Sequence, residues 1–537
     1  MTNHQNPYNQ SPQMGQPMIP PQPMPPRGQW QRRAMNAIGK AKSIMPNWLS
    51  SYPITLYIVA LMVVSVMYSS YSMPWYYMLS GVVAVLVFFL YGSSVSKRIS
   101  IQRIHRTKTF EIRVFGLAFV LRLIWVLLIY YIFMQNYGNA FGYENADADY
   151  YDSLGQFVAG LISEGNFHFY DEIARWSGHD DIADMGYGIY VGFIYWIVGS
   201  TGVIKASGMG GTAIGIVTVR LLKCLWSALT AVLIYRLTKR SFGDQTARVA
   251  AIFCALWPNF WYYCGAHLKE TEMVFLGVLF VEQADQMLRS RKFTSWKLMP
   301  VLLIAAAIFT FRTPLGLVAL LALIFSVVMS SHKVVSWGKR IIVGVLALLL
   351  IGVTVGNRIE EQSRSLLEQV QSGQQQTNME WRSTRRDASG NTQSFAKYAG
   401  AAVFAPMIFT LPFPSMVRPF EGQDVQQLLN GGNFVKNIMS CFTILALIML
   451  LMSGRWREHL LPLSFMLGYV VVLAVSTFAQ SERFHQPAMP FEFMFAAYGL
   501  SIAVTKPKYK RWFTYWCVVM FVACIAWNWF KLKGRGL

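Results

Sequence analysis

Charge is what this sequence has least of. Asp, Glu, Lys and Arg make up 14% of its 537 residues, against 54% apolar residues, whereas a soluble globular chain carries about a quarter charged residues. That balance excludes a soluble enzyme and a mainly disordered protein. Cysteine is also sparse. Cys224, Cys254, Cys264, Cys441, Cys517 and Cys524 each lie in an apolar stretch, with no C-x-x-C pair and no His-spaced cluster. A secreted disulfide scaffold is therefore excluded, and these cysteines read as core filler rather than zinc ligands. Acidic residues are missing altogether before Glu111, and residues 1–34, with eight prolines and many Gln and Asn, lack the apolar centre of a signal peptide. Such a stretch cannot build a core and reads as a disordered tail.

What the chain does have is apolar length. Runs of roughly 20 nearly uncharged residues recur along it, each long enough to cross a bilayer as a helix. Candidate spans are 53–71, 74–92, 114–135, 217–236, 246–264, 271–288, 298–311, 314–330, 341–356, 433–452, 459–478, 489–505 and 512–530. The fold class is an all-α polytopic membrane protein with about 13 transmembrane helices. The net charge of +21 is what the positive-inside rule asks of the loops, not the footprint of a nucleic-acid partner. Arg27, Arg32, Arg33, Lys40 and Lys42 place the N-terminus in the cytoplasm. Every even-numbered span then exits into a basic loop: Lys97, Arg98, Arg103, Arg106 and Lys108 after span two, Arg236, Lys239 and Arg240 after span four, Arg289, Arg291 and Lys292 after span six. Lys333, Lys339 and Arg340 follow span eight, Arg455 and Arg457 span ten, and Lys506, Lys508, Lys510 and Arg511 span twelve. Lys531, Lys533 and Arg535 break the pattern, falling outside after span thirteen.

Two apolar segments do not cross in this reading. Residues 186–199 lie as a helix in the outer interface, which suits their Tyr and Trp content, and 399–414, broken by Pro406, Pro412 and Pro414, enter the outer leaflet and return. Spans 298–311 and 314–330 form a hairpin that places Arg312 near the outer side. The organisation is a Pro/Gln-rich tail (1–50), two N-terminal spans with a basic loop (51–113) and a core (114–356) holding an outer loop (136–216). An outer loop with the re-entrant segment (357–432) and the C-terminal spans (433–537) follow. The polar stretch 357–397 fits a gate or a plain solvated loop equally.

The outer loop 136–216 is acidic. Its ten carboxylates (Glu144, Asp147, Asp149, Asp152, Glu164, Asp171, Glu172, Asp180, Asp181, Asp184) face only Arg175 and Lys205, a net −8 in a chain of +21. A loop this long between spans is usually functional. From Tyr150 onward Leu154, Phe157, Val158, Leu161 and Ile162 keep helical spacing. Asp147 and Asp149 stand at the helix start, where capping and chemistry are both open readings. Asp180, Asp181 and Asp184 read as solvated or capping rather than metal ligands. Cations recur at outer span ends: Lys269 beside His267 and Glu270, then Arg312, then Arg483 and His485 beside Glu482. One such residue reads as a snorkelling anchor. Three clusters opposite the cytoplasmic charge suit an anionic head group. A cleft with carboxylates on one wall and cations on the other suits transfer from a lipid phosphate. One carboxylate takes the acceptor proton and the cations stabilise the departing phosphate.

These motifs resemble the GT-C superfold of polytopic glycosyltransferases, notably the protein O-mannosyltransferases and aminoarabinose transferases. DADYYDSLGQFV (147–158) is similar to the acidic motif that opens their first large outer loop, and GYGIYVGFIYWIVG (186–199) to their juxtamembrane helix, with Gly188 where a Pro is usual. TVRLLKCLWSALTAVLIYRLTKRSFG (218–243), LWPNFWYYCGAHLKETEM (256–273) and ERFHQPAMPFEFMFAAYGL (482–500) follow in the family's order. The resemblance covers roughly residues 114–505; spans one and two and the tail have no counterpart. It implies a GT-C-like bundle in the plasma (inner) membrane, an extracytoplasmic active site, and a sugar donor on a polyprenyl phosphate or diphosphate. It also implies inversion and a glycan, lipid or protein acceptor, with hexosyl or pentosyl transfer open. Carried over, Asp147 is the catalytic base with Asp149 or Asp152 assisting; Lys269, Arg312, Arg483 and His485 hold the lipid phosphate, and Glu270 is an outer-turn contact. No cofactor is required, and the carboxylates permit a divalent metal. The competing class is a transporter or lipid-linked-saccharide flippase, which predicts inverted repeats and ionisable residues at mid-bilayer depth in broken helices. No repeat is visible, and the ionisable residues cluster at span ends.

Overall fold

The computed structural model describes residues 45–101, 107–142, 146–177, 185–199, 213–290, 295–329, 338, 345, 407–418, 424–475, 481–505 and 507–533. Candidate span 341–356, the stretch 357–397, Glu144, Asp180, Asp181, Asp184 and Lys205 lie outside them. Among the described residues there is no strand beyond one isolated bridge, Ser72 to Val417, and the chain is an all-α polytopic membrane protein.

The helices are α1 (Asn47–Met67), α2 (Trp75–Leu86, carried on through Val87–Tyr91 and Gly92–Ile101), α3 (Thr107–Tyr137), α4 (Ala146–Ser163), α5 (Phe169–Ser177), α6 (Met185–Ile197) and α7 (Ala213–Phe242). Then come α8 (Asp244–Leu256), α9 (Pro258–Gly265), α10 (Glu270–Arg289), α11 (Ser295–Phe311) and α12 (Thr313–Met329). The C-terminal set is α13 (Asn430–Met452), α14 (Leu460–Val475), α15 (Glu482–His485), α16 (Met489–Thr505) and α17 (Pro507–Lys533). Among the described residues six helices are long and apolar enough to cross a membrane: Asn47–Met67, Trp75–Arg98, Lys108–Tyr137, Ala213–Phe242, Asn430–Met452 and Lys508–Lys533. Shorter apolar helices at Met185–Ile197, Trp296–Phe311, Thr313–Met329, Leu460–Ala474 and Met489–Thr505 complete the set.

The expected single span 246–264 is two helices. Trp257 is extended (ψ 122°) and Pro258 opens α9, because a residue before proline is pushed out of the helical region. Residues 249–274 are buried without interruption. A helix apolar on every side belongs inside a large protein as readily as in lipid. Here it is the central pillar. The break costs the Cys254 carbonyl its helical donor, since Pro258 has no N–H. Arg122 of α3 supplies the replacement: its Nη2 donates to Cys254 O at 3.0 Å, its Nη1 to Ala255 O at 3.0 Å and Ala118 O at 2.9 Å, and its Nε to Ser227 Oγ at 2.6 Å. A fully buried guanidinium is tolerable because its donors are met.

The two N-terminal spans belong to the same packed unit as the rest. Tyr57 OH donates to Asn430 Oδ1 of α13, Ser50 Oγ to Phe89 O at 2.9 Å, and Trp48 packs on Phe513 of α17 at 5.0 Å. Lys531, the exception to the charge pattern, donates to Ser415 Oγ at 3.0 Å, close to where Arg418 N bonds Tyr71 O at 2.7 Å. Helix α6 packs along α4. The glycine at 188 has a local reason there: a Cβ on it would lie 2.2 Å from Leu154 Cδ2.

Basic residues at one end of the bundle are neutralised. Arg240 holds Glu282 at 2.8 Å and Asp285 at 3.0 Å, and Arg289 holds Asp285 at 2.7 Å. Arg236 grips Glu111 at 2.7 Å. The opposite end of α7 and α10, about 15–30 Å away by helix rise, carries Arg220, Lys223, Glu270 and Glu272.

Replacing Arg122 by Met should strand the Cys254 carbonyl, while Ala255 O keeps Trp261 Nε1 at 3.1 Å, and should lower stability by about 1–3 kcal/mol. Thermal unfolding of purified protein in detergent measures this. A wild-type midpoint would show that the broken pillar does not depend on that guanidinium.

Candidate active site

Helix α4 begins at Ala146, four residues before the start read from its apolar spacing, so Asp147 and Asp149 both fall in its first turn. Negative charge is favoured there by the helix dipole. Asp147 does more than cap: its Oδ2 accepts from Arg483 Nη1. The same guanidinium donates through Nε to Glu270 Oε1. Arg483 thus bridges a carboxylate that is 59% exposed and one that is fully buried, being itself 22% exposed. The bridge joins α4, the start of α10 and the single-turn helix α15.

Two more cations close around it. Arg312 occupies the one-residue joint between α11 and α12, where its backbone N–H still reaches Ile308 O at 2.8 Å. Its guanidinium lies over the Phe484 ring at 4.1 Å, and its Nη1 is buried without a hydrogen-bond acceptor. Lys269 immediately precedes α10, is 3% exposed, and lies 5.8 Å from the Tyr151 ring. Burial first, then the Arg312 charge, brings its ammonium down to about 7, against the opposing pull of Glu270. Asp147, Lys269, Glu270, Arg312 and Arg483 are therefore brought into one cluster.

Three other expected residues face elsewhere. Asp149 is exposed on the first turn of α4; burial and the nearby Asp152 hold its carboxyl above the ordinary value. Asp152 is buried and accepts from Tyr195 OH of α6 and, at 2.7 Å, from Gln156. His485 is buried, and its Nδ1 faces Lys436 Nζ of α13 at 2.7 Å. Behind the cluster lies a layer to which sequence reasoning assigned no role. Lys223 approaches Glu272 at 3.4 Å, sits 5.1 Å from the Tyr187 ring and donates to Leu268 O. Arg220 Nη2 donates to Ala140 O at 2.6 Å. Glu482 accepts from Asn259 at 2.6 Å and Tyr263 at 2.7 Å; burial drives its carboxyl up to about 7 despite those donors. The available signal was the charge on Lys223 and Lys436 inside apolar runs, where ionisable residues are expensive and mark function or pairing.

Among the described residues no group of three or more His, Cys, Asp or Glu stands close enough to hold a metal ion; Asp147 and Glu270 share a guanidinium. The site combines an exposed carboxylate, a buried carboxylate, three cations and an unused guanidinium N–H. Three cations beside two carboxylates leave the cluster with an excess of positive charge.

Residues 210–356 match the family model described as dolichyl-phosphate-mannose-protein mannosyltransferase. That match supports a GT-C superfold glycosyltransferase. The matched stretch contains Lys269, Glu270 and Arg312 and excludes Asp147 and Arg483. No curated protein matches the chain. The family implies a membrane glycosyltransferase that uses a lipid-linked sugar donor.

Lys269 gives this site a pH signature. A cation whose pKa is lowered to about 7 is charged below that pH and neutral above it, so affinity for an anionic donor should fall as pH rises through neutrality. Lys269→Arg, permanently charged, should abolish that decline in a pH profile of donor kcat/KM. An unchanged profile in this variant would remove Lys269 from the anion site.

Proposed function

We propose that the chain transfers a sugar from a polyprenyl-phosphate-linked donor to a hydroxyl of a glycan, lipid or protein acceptor, at the extracytoplasmic face of the plasma (inner) membrane. The observation that carries this reading is the buried Arg312 Nη1 that has no acceptor, in a cluster where Arg483 already neutralises two carboxylates. One anionic phosphate would offset the excess positive charge and give Arg312 Nη1 its acceptor.

In this reading Lys269, Arg312 and Arg483 hold the donor phosphate. Asp147 is the general base, Asp149 lies beside it on the open turn, and Glu270 fixes the far side of Arg483. The acceptor oxygen forms a bond to the anomeric carbon from the face opposite the phosphate. The bond from that carbon to the phosphate oxygen breaks, and its electron pair stays on the phosphate. The acceptor proton passes to Asp147. When the phosphate engages Arg483, Asp147 loses its partner and gains the freedom to accept that proton. The base is thus released where and when a donor is present. The cations stabilise the charge that grows on the leaving phosphate, the largest contribution side chains make in such a site.

Asp147→Asn should lower transfer by roughly 10²–10⁴-fold, the usual worth of a general base, while expression and membrane insertion stay intact. Normal transfer in that variant would eliminate Asp147 as the base. Mass spectrometry of lipid-linked sugars in cells lacking the protein should reveal one accumulating polyprenyl-linked species, which names the donor. An unaltered lipid-linked pool would contradict the proposed donor class.

A further inference from the structure

We infer that Glu482 is the positioning residue of the donor site: it anchors the single-turn helix α15 from behind so that Arg483 faces the phosphate. This inference rests on the assignment of Arg483 to the donor phosphate.

Helix α15 spans only Glu482–His485, and a helix this short has no stability of its own. The hydrogen bonds along it are i to i+3: Phe484 N to Ser481 O at 3.1 Å, Gln486 N to Arg483 O at 3.5 Å, Ala488 N to His485 O at 3.1 Å. Its orientation has to come from side chains. Glu482, His485 and Gln486 are spaced three and four apart and share one face, and all are buried. Arg483 leaves from the other side.

The inward face is tied to the central pillar. Glu482 Oε1 accepts from Asn259 Nδ2 at 2.6 Å, its Oε2 from Tyr263 OH at 2.7 Å, and Gln486 Nε2 adds a third donor. Asn259 and Tyr263 are both on α9. Asn259 continues the tie to Asn433 of α13 at 3.0 Å, and Trp257 Nε1 reaches Gly432 O on the same helix at 3.1 Å. A buried carboxylate accepting several hydrogen bonds is held in one position, since each lost bond leaves a buried polar group unmet. One residue further on, Arg483 meets Asp147 and Glu270, and Phe484 lies beneath Arg312. The Glu482 anchor therefore acts through its neighbour Arg483, although it touches no phosphate itself.

The full-length protein in detergent, titrated with polyprenyl phosphate, tests this. Arg483→Ala should weaken binding about a hundredfold, as expected for a lost charge-assisted pair. Glu482→Gln, which presents an amide where Tyr263 or Asn259 must donate, should weaken it about tenfold. Tyr263→Phe removes one donor, leaves the fold's apolar contacts in place, and should weaken binding several-fold. The decisive reading is the double variant: Glu482→Gln in the Arg483→Ala background should bind no worse than Arg483→Ala alone, because the anchor acts through the arginine. Additive losses would mean that Glu482 supports the fold generally, and would overturn the positioning role. Wild-type binding by Tyr263→Phe would overturn it too, even if Glu482→Gln failed to fold. Wild-type binding by Arg483→Ala would instead refute the donor-site reading itself, and with it the inference.

Discussion

A guanidinium between two carboxylates is the contact on which the site depends. Arg483 reaches Asp147 across 336 residues and Glu270 across 213. Neither partner is near it in sequence. Ionic hydrogen bonds are directional where apolar contact is not. The bridge therefore sets how the first turn of α4, the turn before α10 and the single turn of α15 approach one another. Removing Arg483 would leave the fully buried Glu270 carboxylate without its ionic partner, which is far more costly than losing an ordinary contact. The same economy of charge explains Arg122, whose Nη2 meets the Cys254 carbonyl orphaned by Pro258.

The bundle keeps its charge at two levels. At one, Arg240 and Arg289 close over Glu282 and Asp285, and the acids and bases balance. At the other, Lys269, Arg312 and Arg483 face Asp147 and Glu270, and a guanidinium N–H is left over. A balanced cluster is a clamp. An unbalanced one suits the donor site proposed above, because the missing charge is what an anionic ligand would supply. The layer behind it, with Lys223 beside Glu272 and Asp152 held by Tyr195, ties α7 to α10 and α4 to α6.

Much of this was legible in the sequence. Apolar runs gave the helices their places, since length and hydropathy are what a bilayer selects. The segregation of acids into 136–216 and the cations at outer span ends pointed to the residues that meet: Asp147, Lys269, Glu270, Arg312 and Arg483. What could not be read was side-chain direction. Asp152 lies on the same helix as Asp147 and His485 two residues from Arg483, yet each turns into a buried pair, with Tyr195 and with Lys436. Helix phase decides this, and phase is fixed by packing partners distant in the chain. Residues 246–264 misled for a related reason. Hydropathy reports that a segment avoids water, and a protein interior satisfies that as well as lipid does. The carboxylates of α10 were likewise invisible as core residues until their partners on α7 were known.

That last pairing bears on how the chain is built. Glu282 and Asp285 are buried and would each be an uncompensated charge if left alone. Their partner Arg240 lies 42 and 45 residues before them, so during synthesis the cation emerges first and waits at the end of α7. The acids of α10 enter a neighbourhood already charged to receive them. The order of residues along the chain is, in this respect, an order of assembly.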